Sequence, residues 1–151
     1  MAQKAAEGVT AGLQAALVDL IDLSLLGKQA HWNLYGPHFR SVHLHLDEVI
    51  DEVRTASDDV AERLVAIGGE PDGRAATVAR ASEVGELSGG RLPVDKVIRQ
   101  FEERLQGAAD RIKATLNEIE EDDPLSHDLL VGIATGLEKQ AWMFRASAEH
   151  D

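Results

Sequence analysis

The chain has 151 residues, of which 44% are hydrophobic and 4% aromatic, and its formal net charge is −12. This length suits a single domain over residues 1–151, with one core built mainly from aliphatic side chains. The acidic balance disfavours nucleic-acid and anionic-lipid partners, and the lack of cysteine excludes disulfides and thiolate metal sites. Any metal site must therefore use His, Asp and Glu.

The N-terminal part predicts neither a secretory signal nor a membrane anchor. Residues 1–8 are small and polar, without the apolar core of a signal peptide. No apolar run approaches the length of a membrane span, because Asp19 and Asp22 interrupt residues 17–26. We therefore expect a soluble cytoplasmic protein with no membrane partner.

Two helices are predicted in the first half of the chain, and no segment shows the alternation of a strand. The first covers about residues 10–34 and ends at Tyr35-Gly36-Pro37. The second covers about residues 38–67 and ends at Gly68-Gly69, which tolerate the left-handed backbone after a last helical turn. Their predicted core stripes are Leu13, Leu17, Leu20 and Ser24, then Leu46, Ile50, Val53, Ser57, Val60, Leu64 and Ile67.

The second half begins with a Gly-rich connection over residues 70–92, with a short helix at about 77–84. A third helix opens near Pro93 and carries a stripe from Val94 to Ile119. Asp123 can cap a fourth helix that Pro124 opens. Its predicted core residues are Leu129, Ile133, Leu137, Ala141 and Phe144. The sequence therefore predicts an all-α, ferritin-like four-helix bundle with a short extra helix in the long crossover between helices two and three.

Ionisable residues recur at helical spacing beside the core stripe of the second helix. His43 and Asp47 are four residues apart, as are Asp58 and Glu62, and the step of eleven from Asp47 to Asp58 returns to nearly the same face. His31 precedes the turn at Pro37 by six residues and His43 follows it by six. A helical hairpin would therefore place the two histidines at similar depth.

Distance decides how these groups can share an ion. The pair His43/Asp47 and the pair Asp58/Glu62 are centred roughly 22 Å apart along one helix, whereas metal–ligand bonds are about 2 Å long. Two copies packed antiparallel about a two-fold axis would bring the pairs together twice, giving two equivalent sites per dimer. Imidazole and carboxylate ligands suit iron, manganese or zinc. The alternative is an ordinary solvated helix face.

Two segments resemble the signatures of Dps-like proteins (DNA-binding proteins from starved cells), a family of mini-ferritins. The first is Lys28-Gln29-Ala30-His31-Trp32-Asn33-Leu34-Tyr35-Gly36-Pro37-His38-Phe39. The second is Asp58-Asp59-Val60-Ala61-Glu62-Arg63-Leu64, followed by Ile67-Gly68-Gly69-Glu70-Pro71. The resemblance extends over essentially the whole chain, including the region of Trp142.

The resemblance implies a homo-oligomeric shell of twelve subunits with tetrahedral symmetry and ferroxidase centres at the two-fold interfaces. His31 and His43 would come from one chain, and Asp58 and Glu62 from its partner. His31, Asp58 and Glu62 would bind iron directly, while His43 and Asp47 would bind directly or through water, or serve only a second iron. Trp32 would lie beside the centre, as an electron donor to stray oxidant or simply as interface packing.

The implied reaction is oxidation of Fe(II), with hydrogen peroxide preferred over dioxygen, and storage of the Fe(III) mineral in the cavity, which protects the cell from oxidative damage. Iron is both substrate and bound metal. The acidic turn, with Glu121 and Asp123, and the following Asp128 lie where the family builds its three-fold iron-entry pore. A solvated turn with a helix cap is the competing interpretation.

The sequence lacks the signatures of two other classes of metalloprotein. A true ferritin or di-iron oxygenase would carry Glu-x-x-His pairs, and no histidine here has Glu three residues before it. The His-Glu-x-x-His motif of zinc proteases is also absent. We interpret the remaining histidines as turn, surface, pore-margin and tail residues, in the order His38, His45, His127 and His150. A helical shell without an active metal site is a further alternative.

A DNA-binding, nucleoid-protecting shell with little ferroxidase role is the main alternative function. Residues 1–10 offer only Lys4 and the amino terminus as cations, against Glu7, and residues 148–151 are acidic. Binding to a phosphate backbone requires several cationic contacts. We therefore expect DNA binding to be weak or absent at neutral pH and ordinary salt.

Overall fold

The computed structural model describes residues 7–149, and within this range the chain forms five helices and one short parallel ladder. The elements are α1 Glu7–Asn33, β1 Leu34–Tyr35, α2 Phe39–Ala66, α3 Ala75–Ala81, β2 Leu92–Pro93, α4 Val94–Asp122 and α5 Pro124–Ala148. The predicted all-α bundle with a short helix in the crossover is confirmed, although α3 begins two residues earlier than expected. The interpretations of Lys4 and His150 lie outside the described residues.

The bundle consists of two helical hairpins packed around one aliphatic core. The most extensive helix contacts are those of α1 with α2 and of α4 with α5, and α1 also packs on α4. Leu13, Leu46, Leu105 and Phe144 represent the four long helices in the core and are fully buried. Burial of this apolar surface stabilises the bundle at about 25 cal/mol per Å² removed from water.

The predicted core face of α5 is partly wrong. Leu130 and Ala134 point into the core, whereas the predicted Leu129 and Ile133 are only half-buried and line a groove between α2 and α5. The last three predicted positions, from Leu137 onward, are buried as expected. The cause is that apolar residues occupy adjacent positions at the start of α5, so periodicity alone does not choose between two neighbouring stripes.

The expectation that no segment has the length and apolar character of a membrane span is wrong for α1. An 18-residue window of α1 is apolar enough on average to qualify by length and composition, although half of that window is buried inside the bundle. Leu13, Leu17 and Leu20 point into the core. The averaged apolar character of α1 therefore comes from its packing role in the bundle.

The two ends of α2 explain how the first hairpin is made. Before α2, Gly36 has φ 116° and His38 has φ 66°, so the turn uses the left-handed backbone region twice. After α2, Gly68 has φ 89°, and the Gly68 and Gly69 amides donate to the carbonyls of Val65 and Leu64. This is the Schellman ending that the Gly-Gly pair predicts.

The two-residue ladder was not predicted. Leu34 and Tyr35, directly after α1, pair in parallel with Leu92 and Pro93, directly before α4. Two residues are too few to show a period of two, so the sequence carried no strand signal. The ladder ties the end of α1 to the end of the crossover.

Candidate metal centre

His31 and His43 lie against each other across the α1–α2 contact. Their rings stack with centroids 3.6 Å apart and an interplanar angle of 13°. His31 is in the last turn of α1 and is buried, while His43 is in the second turn of α2 and is half-buried. The prediction that the hairpin places both histidines at similar depth is confirmed.

Reciprocal hydrogen bonds fix both rings. His31 Nδ1 donates to the carbonyl of His43 at 2.7 Å, and His43 Nδ1 donates to the carbonyl of His31 at 2.8 Å. The His31 carbonyl is among the last four of α1, which lack partners within the helix. Because a carbonyl oxygen only accepts, each Nδ1 carries the proton, and in the neutral ring Nε2 presents its lone pair. This is the arrangement that prepares a histidine to bind a metal.

Asp47 completes this group on α2, one turn after His43. Its Oδ1 atom accepts a hydrogen bond from Lys28 Nζ at 2.7 Å and lies 3.6 Å from His31 Nδ1. The hydrogen bond from Lys28 holds the pKa of Asp47 below its usual value, and the nearby His31 and His43 act in the same direction. We refer to His31, His43 and Asp47 as the imidazole half-site.

Sequence reasoning missed Lys28, although a signal existed. Lys28 precedes His31 by three residues and therefore lies on the same face of α1, one turn away. Asp47 follows His43 by four residues on α2. The stacked histidines thus bring Lys28 and Asp47 opposite each other, which becomes visible only once the register of the hairpin is known.

Asp58 and Glu62 form a second group farther along α2, which we call the carboxylate half-site. Both residues are exposed. The eleven residues from Asp47 to Asp58 on one continuous helix correspond to roughly 16 Å. Within residues 7–149, no three His, Asp or Glu side chains are placed to hold one metal ion. One chain therefore presents the two half-sites apart from each other.

Exposed apolar side chains flank the two half-sites. Leu25 and Trp32 on α1 are 55% and 69% exposed, and Val65 on α2 is 60% exposed. Leu25 and Trp32 are seven residues apart, and Val65 lies seven residues after Asp58, so each pair shares a helix face. Helices α1 and α2 therefore carry exposed apolar side chains as well as the ligand groups, as expected if these two helices form an interface.

The residues proposed for an iron-entry pore have different surroundings. Asp123 caps α5 by accepting from the Leu125 and Ser126 amides, and it also forms an ion pair with Arg63 at 2.9 Å. Glu121 is exposed at the end of α4. The pore role of these two residues and of Asp128 remains a prediction, and Asp123 has a structural role that does not depend on it.

Asp128 lies in a groove of about 570 Å³ between α2 and α5, together with Asp51 and Asp59. Glu52 also lines this groove, and its Oε2 atom is buried without a hydrogen-bond partner among the described residues. The side chain of Glu52 lies over Gly136, whose missing Cβ would be 3.3 Å from that oxygen. Acidic side chains thus line the groove along both helices.

His45 corrects the interpretation of this residue as a surface histidine. It is half-buried, its Nε2 atom lies 2.7 Å from the side-chain oxygen of Gln140, and its ring stacks on Phe144 at 4.2 Å. A polar residue on the flank of an apolar stripe gives no sequence signal for such a partner on a distant helix. His38, by contrast, lies in the turn as predicted.

The four-helix fold is that of a ferritin-like protein, and residues 10–150 match the family model described as a ferritin-like domain. Comparison with known proteins specifies the family further. The chain is 32% identical over 149 residues to the DNA protection during starvation protein of Mycolicibacterium smegmatis, covering 99% of this chain and 81% of that protein. It therefore belongs to the Dps family of DNA protection during starvation proteins.

A second relative, DNA protection during starvation protein 2 of Deinococcus radiodurans, is 36% identical over 134 residues. The match covers 89% of this chain and 56% of that relative, so the chain spans little more than half of its length. Among solved structures, Dps92 from Deinococcus radiodurans superposes with a TM-score of 0.91 at 34% identity, covering 93% of this chain and 85% of that one. Membership of this family supports iron storage by ferroxidase-type chemistry as the general role.

Proposed function

We propose that the protein oxidises Fe(II) at centres shared between two chains and stores the Fe(III) product inside a hollow shell of twelve subunits in the cytoplasm. In each centre, His31 of one chain and Asp58 and Glu62 of its partner hold the first iron. His43 and Asp47 hold a second iron, directly or through water. The protective role is the removal of Fe(II) and peroxide before they react with each other in solution.

The separation of the two half-sites is the observation that carries this proposal. Within residues 7–149, neither the imidazole half-site nor the carboxylate half-site places three ligands around one metal ion. Their nearest carboxylates along α2, Asp47 and Asp58, are roughly 16 Å apart on one chain. An antiparallel second copy on the outer face of α1 and α2 brings each half-site of one chain to the other half-site of its partner. The same contact would cover Leu25, Trp32 and Val65, which are exposed in the single chain.

The histidines and the carboxylates contribute to the proposed reaction in different ways. His31 and His43 present Nε2 lone pairs because their Nδ1 protons are held by backbone carbonyls. The carboxylates of Asp58 and Glu62 stabilise the higher charge of Fe(III), which favours oxidation. With hydrogen peroxide as oxidant, two Fe(II) ions donate one electron each, the O–O bond breaks, and two protons complete two water molecules without release of hydroxyl radical. Dioxygen is the alternative oxidant.

DNA protection appears in the names of the relatives. For this chain, we propose that protection proceeds through iron and peroxide chemistry, because a charge of −12 on each subunit opposes binding to a phosphate backbone. DNA binding is therefore expected to be weak or absent.

A mixing experiment tests whether two chains build one centre. His31→Ala and Asp58→Asn should each abolish the fast phase of Fe(II) oxidation in stopped-flow absorbance with peroxide, because every centre lacks one ligand. When the two variants are unfolded, mixed and refolded together, mixed dimers contain one intact centre and one doubly altered centre. Random pairing should then restore about a quarter of the centres.

Refolding each variant alone should restore no fast phase, and Ser88→Asn, a change at an exposed position in the crossover, should leave the rate unchanged. If both variants remain fast, these residues are not the ligands. If each is slow but mixing restores nothing, although native mass spectrometry shows mixed assemblies, the centre does not combine the two chains in this way.

A further inference from the structure

The segment between α2 and α3 contains Asp72-Gly73, the only Asp-Gly pair in a chain that has no Asn-Gly pair. Asp-Gly is the aspartyl sequence most prone to rearrange, because glycine has no side chain to shield its backbone nitrogen. Gly73 is exposed and Asp72 is half-buried, so water reaches both residues. The chain therefore carries one site where its backbone can rearrange spontaneously.

The rearrangement proceeds through a cyclic imide. The Gly73 nitrogen bonds to Asp72 Cγ, and the hydroxyl group of the protonated carboxyl leaves with the Gly73 amide proton as water. A second water then opens the ring. Cleavage between the nitrogen and Cγ restores aspartate, whereas cleavage between the nitrogen and the main-chain carbonyl carbon gives isoaspartate. The first step requires a protonated carboxyl group and rotation of the Asp72 backbone toward its side chain.

Gln14 on α1 opposes this backbone rotation. Its Nε2 atom donates to the Asp72 carbonyl at 2.8 Å, and its Oε1 atom accepts from the Asp72 amide at 3.0 Å. One half-buried side chain therefore holds the peptide groups on both sides of the Asp72 Cα atom. The Gly73 nitrogen can approach Cγ only if at least one of these hydrogen bonds breaks.

Arg74 and Thr77 keep the Asp72 carboxylate ionised and fixed. Oδ1 accepts from the Arg74 amide at 3.2 Å and from Arg74 Nε at 2.9 Å, while Oδ2 accepts from Arg74 Nη2 and the Thr77 hydroxyl, both at 2.8 Å. The Arg74 side chain is 80% exposed, so its charge alone is a weak anchor, but Thr77 is buried. The hydrogen bonds from Arg74 and Thr77 hold the pKa of Asp72 well below its usual range. The protonated carboxyl group that the imide requires is therefore rare at neutral pH.

We propose that Asp72-Gly73 is a latent isoaspartate site, which a clamp formed by Gln14, Arg74 and Thr77 keeps unreactive in the folded protein. The modification occurs when the segment detaches from α1 and from the start of α3. Isoaspartate lengthens the backbone of residue 72 by one carbon and moves its carboxylate, so the clamp cannot re-form as before. The proposal is independent of the iron chemistry, because no residue of the clamp belongs to either half-site.

Ageing of the intact assembly at neutral pH and elevated temperature tests the proposal. Digestion after glutamate, which spares the Glu70-Pro71 bond, releases residues 63–83. The aspartate and isoaspartate forms of this peptide have equal mass, separate by chromatography and differ in electron-transfer fragmentation. A synthetic peptide of the same residues gives the unconstrained rate, and the original protein should be at least about tenfold slower.

Two variants release the two parts of the clamp separately. Gln14→Ala should raise the rate about tenfold, because the hydrogen bonds that oppose the backbone rotation are lost. Arg74→Ala should also raise it about tenfold, because each pKa unit that Asp72 regains increases the protonated fraction by that factor. Gly73→Ala in the Gln14→Ala background should return the rate close to the original value, since a Cβ atom shields the attacking nitrogen.

Two controls separate the clamp from general effects. Arg80→Ala removes another exposed cation of α3 and should leave the rate unchanged. Gly27→Ala, whose Cβ would clash with Ile50, loosens the bundle at a different place and should also leave it unchanged. Circular dichroism must show that every variant compared is folded.

Three outcomes would contradict the proposal. The first is an original protein that forms isoaspartate at residue 72 as fast as the peptide does. The second is a rate in both Gln14→Ala and Arg74→Ala that stays at the original value. The third is an increase in Gly27→Ala as large as that in Gln14→Ala, because general unfolding, and not the clamp, would then limit the reaction.

Discussion

Gly27 permits a close contact between the two helices that carry the imidazole half-site. A Cβ atom added to Gly27 would lie 2.7 Å from Ile50 Cγ1, which is nearer than carbon atoms approach in folded proteins. Ile50 is buried, and the clashing atom is near the root of its side chain. The absence of a side chain at Gly27 therefore allows α1 and α2 to pack closely, one residue before Lys28.

We expect Gly27→Ala to destabilise the protein by about 1–2 kcal/mol. Overpacking costs about 1–3 kcal/mol, and the higher helix propensity of Ala offsets up to about 1 kcal/mol of it. Chemical denaturation at neutral pH, followed by the helical circular dichroism signal, measures the change. Adding Ile50→Ala should make the effect of Gly27→Ala smaller, because the two side chains share the same space.

Gly132→Ala is the matched control for this prediction. Gly132 is also inside a long helix, but nothing lies within 4 Å of the position its Cβ would take. This variant should therefore be unchanged or more stable by up to about 1 kcal/mol. Equal destabilisation by both substitutions would show that the contact with Ile50 is not the reason.

At the level of single residues, the sequence predicted positions better than partners. The spacing of His31 and His43 around Pro37 was enough to predict that they lie at similar depth, because both sit on helices of known pitch next to one turn. The partners of Asp47 and His45 were not predictable in this way. Each depends on the rotation of one helix against another, which is determined by the whole core.

The junction between α4 and α5 shows how one side chain organises a helix start. Asp123 accepts hydrogen bonds from two amides of the first turn of α5, from the Ser126 hydroxyl and from Arg63 on α2. Burial alone would raise the pKa of Asp123, but these hydrogen bonds outweigh it and hold the pKa below its ordinary value. The cap therefore also links α2 to the α4–α5 turn.

Asp123→Ala should cost about 1–2 kcal/mol of stability, because the first turn of α5 loses its cap and Arg63 loses its partner. Asp123→Asn should cost less, under about 1 kcal/mol, since Asn also caps helices but carries no charge for Arg63. Urea denaturation of the two variants side by side measures the difference. An Asn variant as unstable as the Ala variant would mean that the ion pair, not the cap, dominates.

The same residue predicts part of the acid sensitivity. A carboxyl group whose pKa is lower in the folded state contributes stability above its unfolded value, near 3.8, and loses it as the pH falls through the folded value. Stability of the original protein should therefore decline between pH 5 and about pH 3 more steeply than that of Asp123→Asn. Parallel declines would contradict a contribution from Asp123.

At the level of elements, the sequence predicted the start or end of a helix correctly where a capping residue, a proline or a glycine determines the backbone conformation. Gly68 after α2, and Asp123 with Pro124 before α5, have the structures expected from their chemistry. The face of α5 and the bounds of α3 were less accurate. Contacts with the rest of the bundle determine the bounds of a short helix. They also determine which of two neighbouring apolar stripes, as at the start of α5, faces the core. A local sequence pattern does not contain that information.

The outer face of α1 and α2 connects the single chain to the proposed shell. It carries Leu25, Trp32 and Val65 as exposed apolar residues beside the two half-sites. Covering this face with a second copy would remove apolar surface from water and supply the missing ligands at once. Assembly and metal chemistry therefore depend on the same surface.

Native mass spectrometry should show a species of twelve chains of 16.3 kDa each. Val65→Asp should shift the distribution to smaller species, because it buries an unpaired charge at the proposed two-fold contact. Ser88→Asp, which adds the same charge to the exposed crossover, should leave the assembly intact. A monomer in the original protein, or a full assembly in Val65→Asp, would contradict the proposed interface.

The short parallel ladder has a consequence for motion. The last turn of a helix usually frays, and His31 lies in that turn of α1. Only three residues later, Leu34 is held in the ladder against Leu92, and both side chains are buried. The end of α1 therefore cannot open by itself, and its amide hydrogens should exchange with solvent only as slowly as those in the middle of the bundle. Slow exchange there would mean that His31 stands on a helix end as rigid as an interior turn.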